Sequence, residues 1–265
     1  MIKALVRKLI SLLRGKVEQS PRIPEGMRVY AVGDVHGRQD LLEDLLCRLV
    51  EDNARRPPAQ VLYIFLGDLI DRGPASAGVV NLVLDFATRH DCRFIRGNHE
   101  EVLLQLLDEE AGDGSTELAR MFARIGGRQT ALSYGVPEPL YNGWNFDVVG
   151  EMMRPFIAQA HIDFFLAMEE MIVLGDYIFV HAGIDPTLPI DAQDLRKTRW
   201  IRTAFTNAAG PFEKYVVHGH SITSGVDMHP HRCGIDTGAY RSGILSALGC
   251  EGAARWTIQA STPEC

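Results

Sequence analysis

Five short segments of the chain collect side chains able to ligate a divalent cation: Asp34 and His36, Asp68, Asn98, His181, and His220. Carboxylate, amide and imidazole without thiolate suit Mn2+, Fe2+ or Zn2+ in wet, expandable shells. Asp34 and Asp68 are 34 residues apart, and Asp68 and Asn98 are 30 apart, each spacing about one strand–helix–strand unit. A single His after a strand is ordinarily a hydrogen-bonded core residue. Packing gives no reason to gather Asp, Asn and His five times over, because buried charge is costly unless paired or metal-bound. Asp68 has two oxygens and could bridge two ions, and ions about 3.5–4 Å apart bind both ends of an in-line displacement. Two such ions bring four positive charges, of which Asp34, Asp68 and a bridging hydroxide remove three. The site therefore stays positive and attracts a phosphoryl dianion.

The positions of these segments follow from a recurring pattern. Short β-rich runs at Met27–Val32, Val61–Leu66, Cys92–Ile95, Asp176–Val180 and Tyr215–Val217 end in GDVHG, GDLIDRG, RGNHE, HAG and HGH. In open α/β sheets ligands bind beyond the carboxyl ends of the strands. Helical periods lie between the runs: Leu41, Leu42, Leu45, Leu46 and Leu49 form one apolar face, Pro74 opens the helix carrying Val79, Val80, Val83 and Phe86, and Glu100–Leu107 opens another. Residues 111–160 break the rhythm and read as a small helical cap inserted in the α/β core, with a short helix near Leu118–Ile125. At the C-terminal end IDTGAY, GILSAL and ARWTI read as further strands.

The 265 residues are 46% hydrophobic and 23% charged, the composition of a globular protein that can bury a large core unaided. A net charge of −7 argues against nucleic acid as a partner, since phosphate backbones demand a basic surface. Cys47, Cys92, Cys233, Cys250 and Cys265 are scattered. They suit unpaired thiols in a reducing cytoplasm and offer no zinc cluster. No apolar run is long enough to span a membrane, and neither a signal peptide nor an internal repeat is expected. Residues 1–16, within an N-terminal segment 1–20, read as an amphipathic helix with Ile2, Leu5, Leu9 and Leu12 on one face. That helix could touch a membrane surface; packing on the domain or on a second subunit is the simpler expectation. Oligomeric state stays open.

GDVHG (33–37), GDLIDRG (67–73), GNHE (97–100), HAG (181–183) and HGH (218–220) resemble the motif series of the PPP-type metallophosphoesterases. Among these, the chain is similar to the bacterial and phage serine/threonine phosphoprotein phosphatases, which GGRQTALSYG (126–135), TRWIR (198–202) and IDTGAY (235–240) also resemble. The resemblance runs from about Met27 to Ala247. It implies a calcineurin-like α/β fold, a β-sandwich flanked by helices, over a domain at about 27–258. It also implies a ligand assignment: Asp34, His36 and Asp68 for a first metal, and Asp68, Asn98, His181 and His220 for a second. His99 would be the general acid, Asp71 its carboxylate partner, and Arg72 a grip on the phosphoryl oxygens. A further phosphate-binding arginine is expected at Arg202, with Arg199 as the substitute.

Each implied role has a chemical reason. A serine or threonine alkoxide leaves poorly without a proton. A carboxylate beside an imidazole favours its protonated form, and a guanidinium matches phosphate as a planar fork. The expected function is hydrolysis of phosphoserine and phosphothreonine, and of phosphotyrosine or small aryl monoesters as well, by direct attack of a metal-bound hydroxide, with Mn2+ the first-choice metal. The alternatives are a diadenosine-tetraphosphate hydrolase, which shares these motifs, and a phospho-ligand binding module without activity. His218, His229 and His231 read as strand-end or loop residues rather than ligands.

Overall fold

The computed structural model describes residues 20–108 and 115–262. The expected N-terminal helix and Cys265 lie outside the described residues. Among the described residues ten strands form two five-stranded sheets. In the first sheet β1 (Met27–Val32) lies at the centre, parallel to β2 (Gln60–Phe65) and antiparallel to β9 (Ile244–Glu251), with β3 (Cys92–Phe94) and β10 (Ala254–Ser261) at the edges. The second sheet runs β4 (Met171–Leu174), β5 (Tyr177–Val180), β6 (Tyr215–His218), β8 (Arg232–Gly234) and β7 (Asp227–Met228).

Alternation along the strands separates the layers. Successive side chains point to opposite faces of a strand. Val29, Ala31, Leu62 and Ile64 therefore enter the core between the sheets, with Tyr177, Phe179, Tyr215 and Val217 from the other side. Tyr30, Val32, Tyr63 and Phe65 face outward under the helices. Two helices cover that face: α1 (Gln39–Ala54) with Leu41, Leu42, Leu45, Leu46 and Leu49, and α2 (Ser76–Ala87) with Val79, Val80, Val83 and Phe86. Helix α3 (Asn98–Leu106) starts directly after Gly97. Asn98 and His99 thus sit in its first turn rather than in the loop before it. Among the described residues no helix is long and apolar enough to cross a membrane.

The inserted region is helical, as its composition suggests: α4 (Ser115–Ile125), α5 (Gly127–Ser133), α6 (Glu138–Gly143) and α7 (Val149–Met153) precede α8 (Gln159–Ala167). It packs directly on the domain: Phe122, Ala131, Val136, Val149 and Met153 belong to the same core as α1 and α2. Two strand expectations change. Met171–Leu174 is an additional strand that pairs antiparallel with β5. IDTGAY is not a strand: β8 ends at Gly234, and Ala239–Ser242 forms the short helix α9. Asp236 accepts the Gly238 N–H at 2.9 Å while Gly238 takes a left-handed φ of 68°, a side-chain turn that breaks the extended run.

Candidate metal centre and acid–base cluster

Loops after β1, β2, β5 and β6, together with the first turn of α3, bring Asp34, His36, Asp68, Asn98, His99, His181 and His220 into one buried cleft. Asp68 stands at its middle. Its Oδ2 lies 3.5 Å from His36 Nε2 and 3.7 Å from His99 Nε2, and its Oδ1 lies 3.4 Å from His181 Nε2. Two groups of converging donors share this carboxylate: His36, Asp68 and His99 on one side, and Asp68, His181 and His220 on the other. Asn98 Oδ1 approaches His181 Nε2 at 3.0 Å. Asp34 is turned a different way, accepting the His220 N–H at 3.0 Å, and it falls in neither group. Gly219 permits that contact, since a Cβ there would meet Asp34 Oδ1 at 2.0 Å.

Hydrogen bonding at the far side of each ring sets its tautomer. His36 Nδ1 donates to the Ile70 carbonyl and His181 Nδ1 to the Leu66 carbonyl, both at 2.8 Å. Each Nε2 is thereby left as a lone pair directed into the cleft, the usual way proteins prepare an imidazole ligand. Burial pushes His36 and His181 below the ordinary imidazole range and His220 down to about 2, so all three rings are neutral near pH 7. The Nε2 atoms of His36 and His220 are buried without a hydrogen-bond partner. A buried nitrogen left unsatisfied is costly, and a divalent cation would complete both. Burial would raise Asp68, but the rings of His181, His99, His36 and His220, where protonated, outweigh it and hold the carboxylate below its usual range. This donor set fits a pair of divalent metals.

His99 is wired differently. Its Nδ1 faces Asp71 Oδ2 at 2.7 Å, a carboxylate instead of a carbonyl. Burial opposes a charged ring, yet Asp68 and Asp71 together raise His99 above the ordinary value. Arg72 Nη2 lies 3.0 Å from His99 Nε2, and its guanidinium stands 4.8 Å from the centre of the Tyr240 ring. The positive charge of Arg72 therefore opposes protonation at Nε2 as long as it stays there. His36, Asp68, Asp71, Arg72 and His220 all have left-handed φ between 47° and 70°. For residues with a Cβ that conformation is strained.

The two candidate arginines separate. Arg199 is buried, with Nε on Glu101 Oε2 at 2.9 Å and Nη1 on Glu170. The expectation that it could substitute as a phosphate ligand is corrected by this geometry, because two carboxylates hold its fork. Arg202 is exposed, and its charge is close enough to depress His181 and His220. His218 donates from Nδ1 to the Gly219 carbonyl at 3.1 Å and accepts from Arg232 at 3.4 Å, and burial lowers it to about 4.

Three contributors lie inside the quoted motifs without an assigned role. Glu100 accepts N–H groups of Asp68, Leu69, Ile70 and Gly97 at 2.7–3.4 Å, which pins the Asp68 loop to the start of α3. Burial nonetheless raises Glu100 to about 7. Asp236 is buried beside Asp34 and is raised to about 6 by burial. Asp followed by Thr-Gly is a turn signal that could have marked it. Thr130, within GGRQT, donates to Asp71 Oδ1 at 2.5 Å.

Comparisons with known proteins agree with this architecture. The sequence model of the calcineurin-like phosphoesterase family matches residues 27–249. A symmetrical bis(5'-nucleosyl)-tetraphosphatase of Janthinobacterium sp. (strain Marseille) is 28% identical over 60% of this chain and 45% of its own length. Serine/threonine-protein phosphatase 1 of Salmonella typhimurium is 40% identical over 33% of this chain and 35% of its own. Each match thus spans under half of the relative's length. A solved structure assigned as a diadenosine tetraphosphatase superposes with a TM-score of 0.57 at 22% identity, covering 89% of this chain and 95% of that one, a likeness of fold. With its motifs gathered in one cleft and nearly the whole chain matched, the protein belongs to the calcineurin-like phosphoesterase family.

Proposed function

We propose that the protein is a metal-dependent phosphomonoesterase acting on phosphoserine and phosphothreonine in proteins, with phosphotyrosine and small aryl phosphates as further substrates. The observation that carries this reading is the Asp71–His99 pair at 2.7 Å beside Asp68. An alkoxide leaving group needs a proton in the transition state, whereas the polyphosphate released from a dinucleotide is already a weak base. Two divalent metals, held by Asp34, His36 and Asp68 and by Asp68, Asn98, His181 and His220, would supply charge stabilisation for the phosphoryl oxygens and acidify water.

The remaining work falls to this chain's own residues. Arg72 and Arg202 bind the phosphoryl oxygens, Arg72 as a planar fork. Movement of Arg72 from His99 Nε2 onto the phosphate frees that nitrogen to carry a proton, which it delivers to the departing oxygen. Asp71 fixes the ring and favours its charged form. Arg199 binds no phosphate in this scheme and anchors the Arg196–Arg202 segment through Glu101 and Glu170. The four described cysteines are unpaired, which suits a cytoplasmic protein.

A second reading, hydrolysis of dinucleoside polyphosphates, has support from the Janthinobacterium relative, whose match covers more of the chain than that of the Salmonella phosphatase. Turnover of a phosphoserine peptide and of diadenosine tetraphosphate, measured side by side with added Mn2+, separates the two. We expect the phosphopeptide to be preferred. A clear preference for the nucleotide selects the second reading, and metal-loaded protein that hydrolyses neither would be a binding module.

A further inference from the structure

We propose that Thr130, carried by the inserted helical region, is a positioning residue that sets the orientation of the Asp71–His99 pair; the catalytic part of this inference rests on the phosphatase reading above. Thr130 is fully buried in α5. Its hydroxyl meets three groups: Asp71 Oδ1 at 2.5 Å, the Asp71 N–H at 2.9 Å and Ser76 Oγ at 3.0 Å. One proton assignment satisfies them. Ionised Asp71 has no proton to give, so Thr130 donates to Oδ1. The Thr130 oxygen then accepts from Ser76 and from the Asp71 N–H. With Oδ1 held in this way, Oδ2 is left facing His99 Nδ1 at 2.7 Å.

Residues flanking Thr130 brace the same loop and the start of α2. Gly126 O accepts the Arg72 N–H at 3.2 Å, Ile125 O takes Arg72 Nε at 3.4 Å, and Ser133 Oγ accepts the Ala77 N–H at 3.1 Å. Gly126 itself has no room for a side chain, since a Cβ would lie 2.7 Å from the Arg72 nitrogen. Asp71 and Arg72 hold left-handed φ values of 70° and 67°, conformations that persist where the surroundings over-determine them. The insertion therefore supplies one wall of the acid–base cluster, in addition to any part it plays in substrate access. A carboxylate held at one oxygen only, by His99, would be free to swing about its own axis. Held at both, it presents a fixed acceptor, and the imidazole plane is fixed with it.

The test uses Thr130→Val, which keeps the shape and removes the donor, and Thr130→Ser, which restores it, both in the full chain. The first readout does not depend on activity. A downfield His99 Nδ1–H proton resonance, assigned by its loss in His99→Asn, is expected in the wild type, lost or shifted upfield in the valine variant, and recovered in the serine variant. The second readout is kinetic. In Thr130→Val, kcat on a phosphoserine peptide is expected to fall about 10–100-fold with KM little changed, and much less on p-nitrophenyl phosphate, whose leaving group hardly needs a proton. Thr130→Ala carries the same expectations should the valine variant not fold. An unchanged His99 resonance without the hydroxyl, equal losses on both substrates, or no recovery with serine overturns the inference. Wild-type protein inactive on every phosphomonoester would instead overturn the phosphatase reading, and the resonance would still decide the role of Thr130.

Discussion

Strand β1 carries a buried polar cluster at each end, and the two are built on opposite principles. Near its start, Arg28 is fully buried, and each of its three nitrogens donates: to Glu251 at 2.9 Å, Asn53 at 2.5 Å and Pro57 O at 2.8 Å. Beside it Asp52 accepts from Tyr30, Arg56 and Trp256 at 2.7–3.1 Å, and Arg56 lies 3.5 Å over the Trp256 ring. Beyond the other end of β1 lie Asp34, His36 and their neighbours. There two imidazole nitrogens have no hydrogen-bond partner, carboxylates crowd together, and every non-glycine residue of left-handed φ among the described residues is found. The first cluster closes on itself and ties β1, α1 and β9 together. The second is incomplete within the chain, which is what a site for ions and a phosphate requires.

Substitutions can break or sharpen that contrast. The largest effect is expected for His99→Asn, which should lower kcat on a phosphoserine peptide by roughly 10²–10⁴-fold and less on p-nitrophenyl phosphate. Equal losses on the two substrates would contradict the proton-donor role. Asp68→Asn should reduce the metal retained after dialysis, measured by elemental analysis, as well as the rate, because both donor groups share this carboxylate. Unchanged metal content would count against a bridging Asp68.

At the other cluster the effects should fall on stability alone. Arg28→Ala strands Asn53 and Glu251 and should cost about 2–4 kcal/mol in urea unfolding, toward the lower end because Glu251 is partly solvated. The kcat of the remaining folded protein should stay the same, and a selective loss of kcat would dissolve the distinction between the two ends of β1. The smallest effect concerns pH. Burial raises Asp52, but its bonds to Arg56, Tyr30 and Trp256 prevail and hold it below the ordinary carboxylate range. A depressed folded-state pKa adds stability above the unfolded value, near pH 4, that disappears as pH falls through the folded value. Asp52→Asn should therefore lose under about 1 kcal/mol at neutral pH and show a shallower decline as pH falls below about 4. Parallel pH curves for variant and wild type would remove Asp52 from the acid response.

Much of the cleft was legible because its signals are local. β-Rich runs ending in Gly-Asp, Asn-His or His-Gly segments located β1, β2, β3, β5 and β6 to within a residue or so, and helical leucine spacing located α1. The misreading also has a local cause. IDTGAY has a strand-like composition, yet the Asp236 turn and left-handed Gly238 end the extended chain. Residues 111–160 lack a strand rhythm and read as an inserted helical cap, and among the described residues they are helical. Their apolar faces join the core of α1 and α2, a partnership that no periodicity within the segment reveals.

The inventory of donors, and their placement just past strand ends, can be read from the order of amino acids, because side-chain alternation and turn chemistry act over a few residues. Distances across the cleft cannot. Asp68 meets His36 on one side and His181 on the other, Asp34 turns to the backbone of His220, Thr130 reaches Asp71 across 59 residues, and Arg199 is held by Glu101 while Arg202 stays exposed. These pairings depend on the strand order of two packed sheets and on left-handed turns held by remote hydrogen bonds, so they exist only once the whole core has closed.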